Sequence, residues 1–136
     1  MANTITTQRH SSSVKTMLVE NDATTLSGST YVAIIDAVDV ESYDRASIQV
    51  LSNDEDGGLT CQVWGSLFDS AEALPVTNSK WVQVGDDVVV TASSGSLKAI
   101  STTALRLLAV TVKATDGSST TAITAGDCKV FLQGTI

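Results

Sequence analysis

A single histidine, His10, stands in the 136-residue chain. Imidazole-based catalytic triads and multi-histidine zinc sites need more chemistry at one point, and His10 lies in an unpatterned polar stretch. Two cysteines, Cys61 and Cys128, are too few for a disulfide scaffold. Even with His10 they cannot close a four-ligand zinc site within one chain. Both fall in apolar alternating runs, where a free thiol behaves as a small buried hydrophobe; one bridge stays open if their strands are neighbours. No run approaches the ~18–20 consecutive apolar residues of a membrane span, so no membrane partner is expected. The N-terminus lacks the basic start and apolar stretch of a secretion signal, which predicts synthesis in a cytoplasm. Lys and Arg number 8 against 15 Asp and Glu, a net charge of -7. Counterion release needs clustered cations, so a nucleic-acid partner is not expected either.

Signatures of chemistry are missing too. No G-x-S-x-G elbow presents a serine, and a hydroxyl without a base is a poor nucleophile. Gly57 and Gly58 lead into a strand pattern with no following Gly-Lys-Ser/Thr, so no phosphate-cradling loop forms there. Asp54 and Asp56 have the spacing of a calcium loop, but the closing position is Val63 and no helix follows. A solvated acidic turn is the better reading, and Asp86 and Asp87 after Gly85 read the same way. Among Asp36, Asp39, Glu41 and Asp44, the first two are the pair a glycosidase would use. A chain this short with 4% aromatic residues offers little cleft, and a charged loop or edge is expected instead. No catalytic residue, metal ligand or cofactor is assigned, and the chain is expected not to be an enzyme.

What the chain does have is short, alternating, β-branched runs. Its 17 serines and 18 threonines make about a quarter of the sequence, while 43% of residues are hydrophobic and mean hydropathy is +0.18. That is enough apolar material for a core, in residue types that favour strands. Residues 14–20, 31–35, 46–52, 59–65, 81–84, 88–93, 97–101, 104–114, 120–125 and 128–133 read as strands. In 104–114, Leu105, Leu108 and Val112 also fit a helical period. The β-branched Val110, Thr111 and Val112, with Leu108, Val110 and Val112 sharing one face, favour a strand. Residues 46–52 and 59–65, joined by a glycine-bearing turn, read as an antiparallel hairpin. Residues 67–80, with the only proline, Pro75, read as a long loop with one helical turn at 69–73. Turn signals every ~8–12 residues predict an all-β fold, an antiparallel β-sandwich or jelly roll, as one domain over residues 14–136. Residues 1–13 are expected to form an extended N-terminal arm, ordered when something binds it.

The two tryptophans are the most informative side chains. Trp64 shares strand parity with Thr60 and Gln62, and Trp81 with Gln83. Both are therefore expected on the more polar face, opposite Cys61, Val63, Val82 and Val84. Such an indole packs at a sandwich rim, anchors a protein interface or stacks on a sugar. On and beside the arm, Arg9, His10 and Lys15 form a slightly basic stretch next to an acidic body, and they are the candidates for partner contacts there.

The opening Met1, Ala2, Asn3 and Thr4, the Ser/Thr-rich short strands, and segments 48–52, 63–67 and 104–112 carry a resemblance. The chain resembles the small decoration or cement proteins of tailed-bacteriophage heads over most of residues 14–136. The resemblance implies a jelly-roll or sandwich subunit that binds and stabilises the lattice of a major capsid protein. It further implies a homo-oligomer, dimer or trimer, made in the host cytoplasm and carried on the capsid exterior of the virion. The alternative expectation is a carbohydrate-binding or receptor-binding module of a phage tail or baseplate, with Trp64 and Trp81 on the sugar.

Overall fold

Val, Ile and Thr crowd a helix at Cβ but stand freely above a pleated strand, and among the described residues they lie almost wholly in strands. The computed structural model describes residues 4–10, 14–20, 31–41, 43–52, 58–68, 80–91, 94–101, 105–114 and 128–135. In chain order the strands are β1 (Thr4–His10), β2 (Val14–Glu20), β3 (Val32–Asp39), β4 (Arg45–Ser52) and β5 (Leu59–Ser66). They continue with β6 (Val82–Gln83), β7 (Val88–Val90), β8 (Ser94–Ser101), β9 (Leu107–Ala114) and β10 (Cys128–Thr135).

Sheet I has the order β1-β2-β10-β4-β8, and sheet II the order β3-β9-β5-β6, with β7 also on β5. From β2 onward the chain changes sheet at every connection except β5 to β6 and β6 to β7. Two antiparallel sheets interleaved in this way make a jelly roll. Strands β6 and β7 are one interrupted edge: Gln83 pairs with Trp64, Val88 with Cys61, and Val84 N–H still reaches the Val63 carbonyl at 2.7 Å. The interruption turns at Gly85, whose φ of 73° suits glycine.

Four sequence expectations change. Residues 46–52 and 59–65 are β4 and β5, but they lie in different sheets and form no hairpin. Each run has one apolar face, Ala46, Ile48 and Val50 on β4 and Leu59, Cys61 and Val63 on β5. Opposite sheets let both faces enter one core, whereas a hairpin would place them side by side and leave both to be covered. Strand β3 runs past the expected end at residue 35 through Asp36 and Asp39, which places these acids on an edge strand, one of the two positions expected for them. Register shifts near Ile35 let consecutive Ile34 and Ile35 both be buried. Strand β8 begins three residues before the brief segment expected at 97. Residues 4–10, part of the expected arm, are extended but already hydrogen-bonded to β2 of their own sheet. The loop over 69–79 with its helical turn, the acidic turn 53–57 and the strand at 120–125 lie outside the described residues.

Between the sheets sits one core, built on sheet I from Ile48, Val50, Val130 and Leu132 and on sheet II from Ile35, Leu59, Val63, Leu108, Val110 and Val112. Strand β9 is buried on both faces: Leu108, Val110 and Val112 point inward, and Leu107, Ala109 and Thr111 on the outer face are buried as well. This explains the near-continuous apolar run that blurred its periodicity. Cys61 and Cys128 are free and buried, as expected. Burial pushes the Cys61 thiol well above its ordinary pKa, helped by Cys128, and raises Cys128 to about 12.

Leu108→Ala is expected to cost roughly 2–5 kcal/mol in urea unfolding, against about 0.5 kcal/mol or less for the exposed Gln49→Ala. Because both thiols ionise first in the unfolded chain, stability is full below pH 9 and falls as pH rises toward 12. Each thiol contributes a slope of roughly 1–1.5 kcal/mol per pH unit, so Cys128→Ala flattens the alkaline limb in a pH series of melts.

Candidate functional site

Two surfaces stand out. The first is the outer face of sheet II. Trp64 lies opposite Ala109 in register, and Gln62 opposite Thr111. The Trp64 indole N–H donates to Thr111 Oγ1 at 3.0 Å, the diagonal neighbour on β9. The indole therefore reaches across to β9 and is half-buried there. Trp81, only 4% exposed, packs with Trp64, Leu107 and Ala109 in a second apolar cluster on this face. Among the described residues its indole N–H has no acceptor.

Beside the rings is a hydrogen-bonded group centred on Asp87. Its Oδ1 accepts from Gln83 Nε2 at 2.7 Å and from Gln62 Nε2 at 3.2 Å. Tyr31 bonds to the same carboxylate from the far side of the sheet, and Lys113 Nζ lies 4.8 Å from the Tyr31 ring centre. Burial, then the Asp87 charge, holds the Tyr31 hydroxyl above its ordinary pKa and so in its neutral, donating form. These contacts fasten the interrupted β6–β7 edge and orient both amides.

The second surface is the flank where β7 and β8, edge strands with no further partner among the described residues, run together, tied by a Thr91–Ser94 hydroxyl contact of 2.7 Å. Large apolar side chains stand in water on both edge strands: Leu97 on β8, at 71% exposure, in register with Gln49 on the outer face of sheet I, and Val89 on β7, at 57%, in register with Thr60 on the outer face of sheet II. A Cβ on Gly95 would collide with Leu51 Cδ2, so the Leu51 side chain reaches over Gly95 toward the same edge.

The expected residues are distributed unevenly. Trp64 and Trp81 do share a face, but Trp81 is too buried to offer its ring to a ligand. Its burial comes from packing against Trp64 and Leu107, which strand parity does not register. In register, Arg9 meets Thr16 and His10 meets Lys15 at the end of the β1–β2 pair next to the connecting residues 11–13. Asp36 accepts from the Ala37 N–H and Asp39 from the Glu41 N–H, both at 2.9 Å, so each carboxylate serves the local backbone. Glu41 in turn pairs with Arg106 at 3.3 Å. Among the described residues no group of three or more metal-ligand side chains forms. Sequence reasoning missed Tyr31, Asp87 and Lys113. Asp87 read as turn filler, because its partners come from three other strands or strand ends.

No protein-family profile matches the chain, and neither does any curated protein. Solved structures share the fold at low identity. A stretch of tripeptidyl peptidase 2 matches with TM-score 0.53 and 14% identity over 88% of this chain, which spans 10% of that enzyme's length. A Bacillus endospore appendage, described as a disulfide-linked pilus, matches at TM-score 0.48 and 17% identity over 100% of this chain and 92% of its own. A carbohydrate-binding module specific for non-crystalline cellulose matches at TM-score 0.44 and 12% identity, covering 97% of this chain and 77% of that one. Coat proteins of tobacco streak virus and a structure of infectious bursal disease virus match at TM-scores of 0.36 to 0.42.

Thr111→Val keeps the shape but removes the acceptor of the Trp64 N–H. A loss of about 1 kcal/mol is expected, with an indole emission shift read in the same unfolding titration.

Proposed function

We propose that this chain is a structural subunit of a virion, a capsid decoration subunit that binds and stabilises the major capsid lattice from outside without turning over a substrate. The observation that carries this reading is the β7/β8 flank. Unpaired strand edges offer rows of backbone N–H and C=O groups, a ready template for another chain. Large apolar side chains beside such an edge supply the burial that backbone pairing alone lacks. On a repeating lattice, many copies of one modest contact hold firmly, because each linked attachment raises the effective concentration of the next. The net charge of -7 favours a basic patch on the partner and keeps free subunits apart in solution. A homo-oligomer, dimer or trimer, adds the further multivalency that such attachment uses.

The test is rebinding to purified particles stripped of the subunit. Wild-type protein is expected to reload at a copy number comparable with the capsid protein. Leu97→Asp is expected to rebind at least tenfold more weakly, while its unfolding free energy stays within about 0.5 kcal/mol. A copy number far below that of the capsid protein, or full rebinding by Leu97→Asp, overturns the reading.

A further inference from the structure

The outer face of sheet II is built differently from the flank, and its side chains suit a different partner. We propose that this face is a binding platform for a neutral carbohydrate chain, with Trp64 as the stacking surface and Gln62, Gln83 and Asp87 as the hydroxyl-binding group.

A sugar ring has an apolar face of C–H groups and an equator of hydroxyls that each donate and accept. It needs an aromatic plane and nearby planar polar groups whose orientation is already fixed. Trp64 supplies the plane. Its N–H is anchored on Thr111 and its ring packs against the Trp81 cluster, so the half-buried indole is held in a fixed pose with part of its surface in water. Gln83 lies directly opposite Trp64 in register, and Gln62 lies two residues back on the same face of β5, about 7 Å away. A ring stacked on Trp64 is thus within reach of both amides.

The polar group is ordered before any ligand arrives. Each glutamine spends one N–H on Asp87 Oδ1, which fixes the amide plane. Each amide has a second N–H and a carbonyl oxygen, and the carboxylate a second oxygen, so donors and acceptors alternate across the patch. Fixing rotamers beforehand reduces the entropy lost on binding. Of the large apolar side chains exposed among the described residues, Val89 lies in register with Thr60 at one end of this face, and Leu97 lies on the other sheet. A protein partner would be expected to find more apolar surface here.

This inference does not depend on the virion reading, since Leu97 belongs to sheet I and Trp64 to sheet II. The full chain is titrated by calorimetry and tryptophan emission with cellohexaose, xylohexaose, mannohexaose and dextran. At least one is expected to bind saturably and to shift the indole emission. Gln62→Ala is expected to weaken that binding at least tenfold with its unfolding midpoint retained. Asp87→Asn, which keeps the side-chain shape, tests the shared acceptor independently of Gln62 and is expected to weaken binding too. Leu97→Asp is expected to bind as wild type, so failure of lattice attachment and failure of sugar binding are read by separate variants. Absence of saturable binding to all four probes, or unchanged affinity in both Gln62→Ala and Asp87→Asn, overturns the proposal.

Discussion

Strand β9 has to be covered on both faces, and much of the molecule follows from that. Its inner side chains, Leu108, Val110 and Val112, meet sheet I in the ordinary way of a sandwich. Its outer side chains, Leu107, Ala109 and Thr111, are equally shut off from water although no third sheet lies over them among the described residues. Trp64 and Trp81 close part of that face, and the buried Thr111 hydroxyl is satisfied by the Trp64 N–H. A polar atom buried without that partner would weaken the strand at its centre.

The same constraint shapes the surface. The Trp64 indole recruited to cover β9 reaches across to it and is half-buried there, with part of its surface in water. Around it, the gap between β6 and β7 lets Asp87 turn back over the sheet and gather Gln62, Gln83 and Tyr31. Structural and ligand-facing roles thus fall on the same residues. The β7 and β8 edge strands have the opposite character, with no further strand partner among the described residues and with exposed Val89 and Leu97. One jelly roll therefore presents two chemically distinct surfaces, one apolar and edge-on, the other polar, aromatic and face-on.

Strand identity was legible wherever side chains alternate in one register. Residues 46–52 and 59–65 mark β4 and β5 because their apolar positions recur at a period of two and one face of each is buried throughout. The run at 104–114 was legible as a strand for a different reason, the β-branched residues at its centre. Strand β3 was legible only in its first half, since the shift near Ile35 breaks the alternation and places acids on a strand. For the tryptophans, parity gave the face correctly, yet Trp81 is buried through neighbours that parity does not name.

Taken alone, the amino-acid order determined an all-β chain, the approximate location of most strands, two buried thiols and the face on which both indoles lie. Those properties depend on neighbours two to eight residues apart. Only the tertiary structure decided that β4 and β5 part company, that β10 slots between β2 and β4, and that Asp87 meets Tyr31 across sheet II. Strand pairing is settled by which apolar faces cover one another once the whole chain is collapsed. That is a global packing condition, and no local period encodes it.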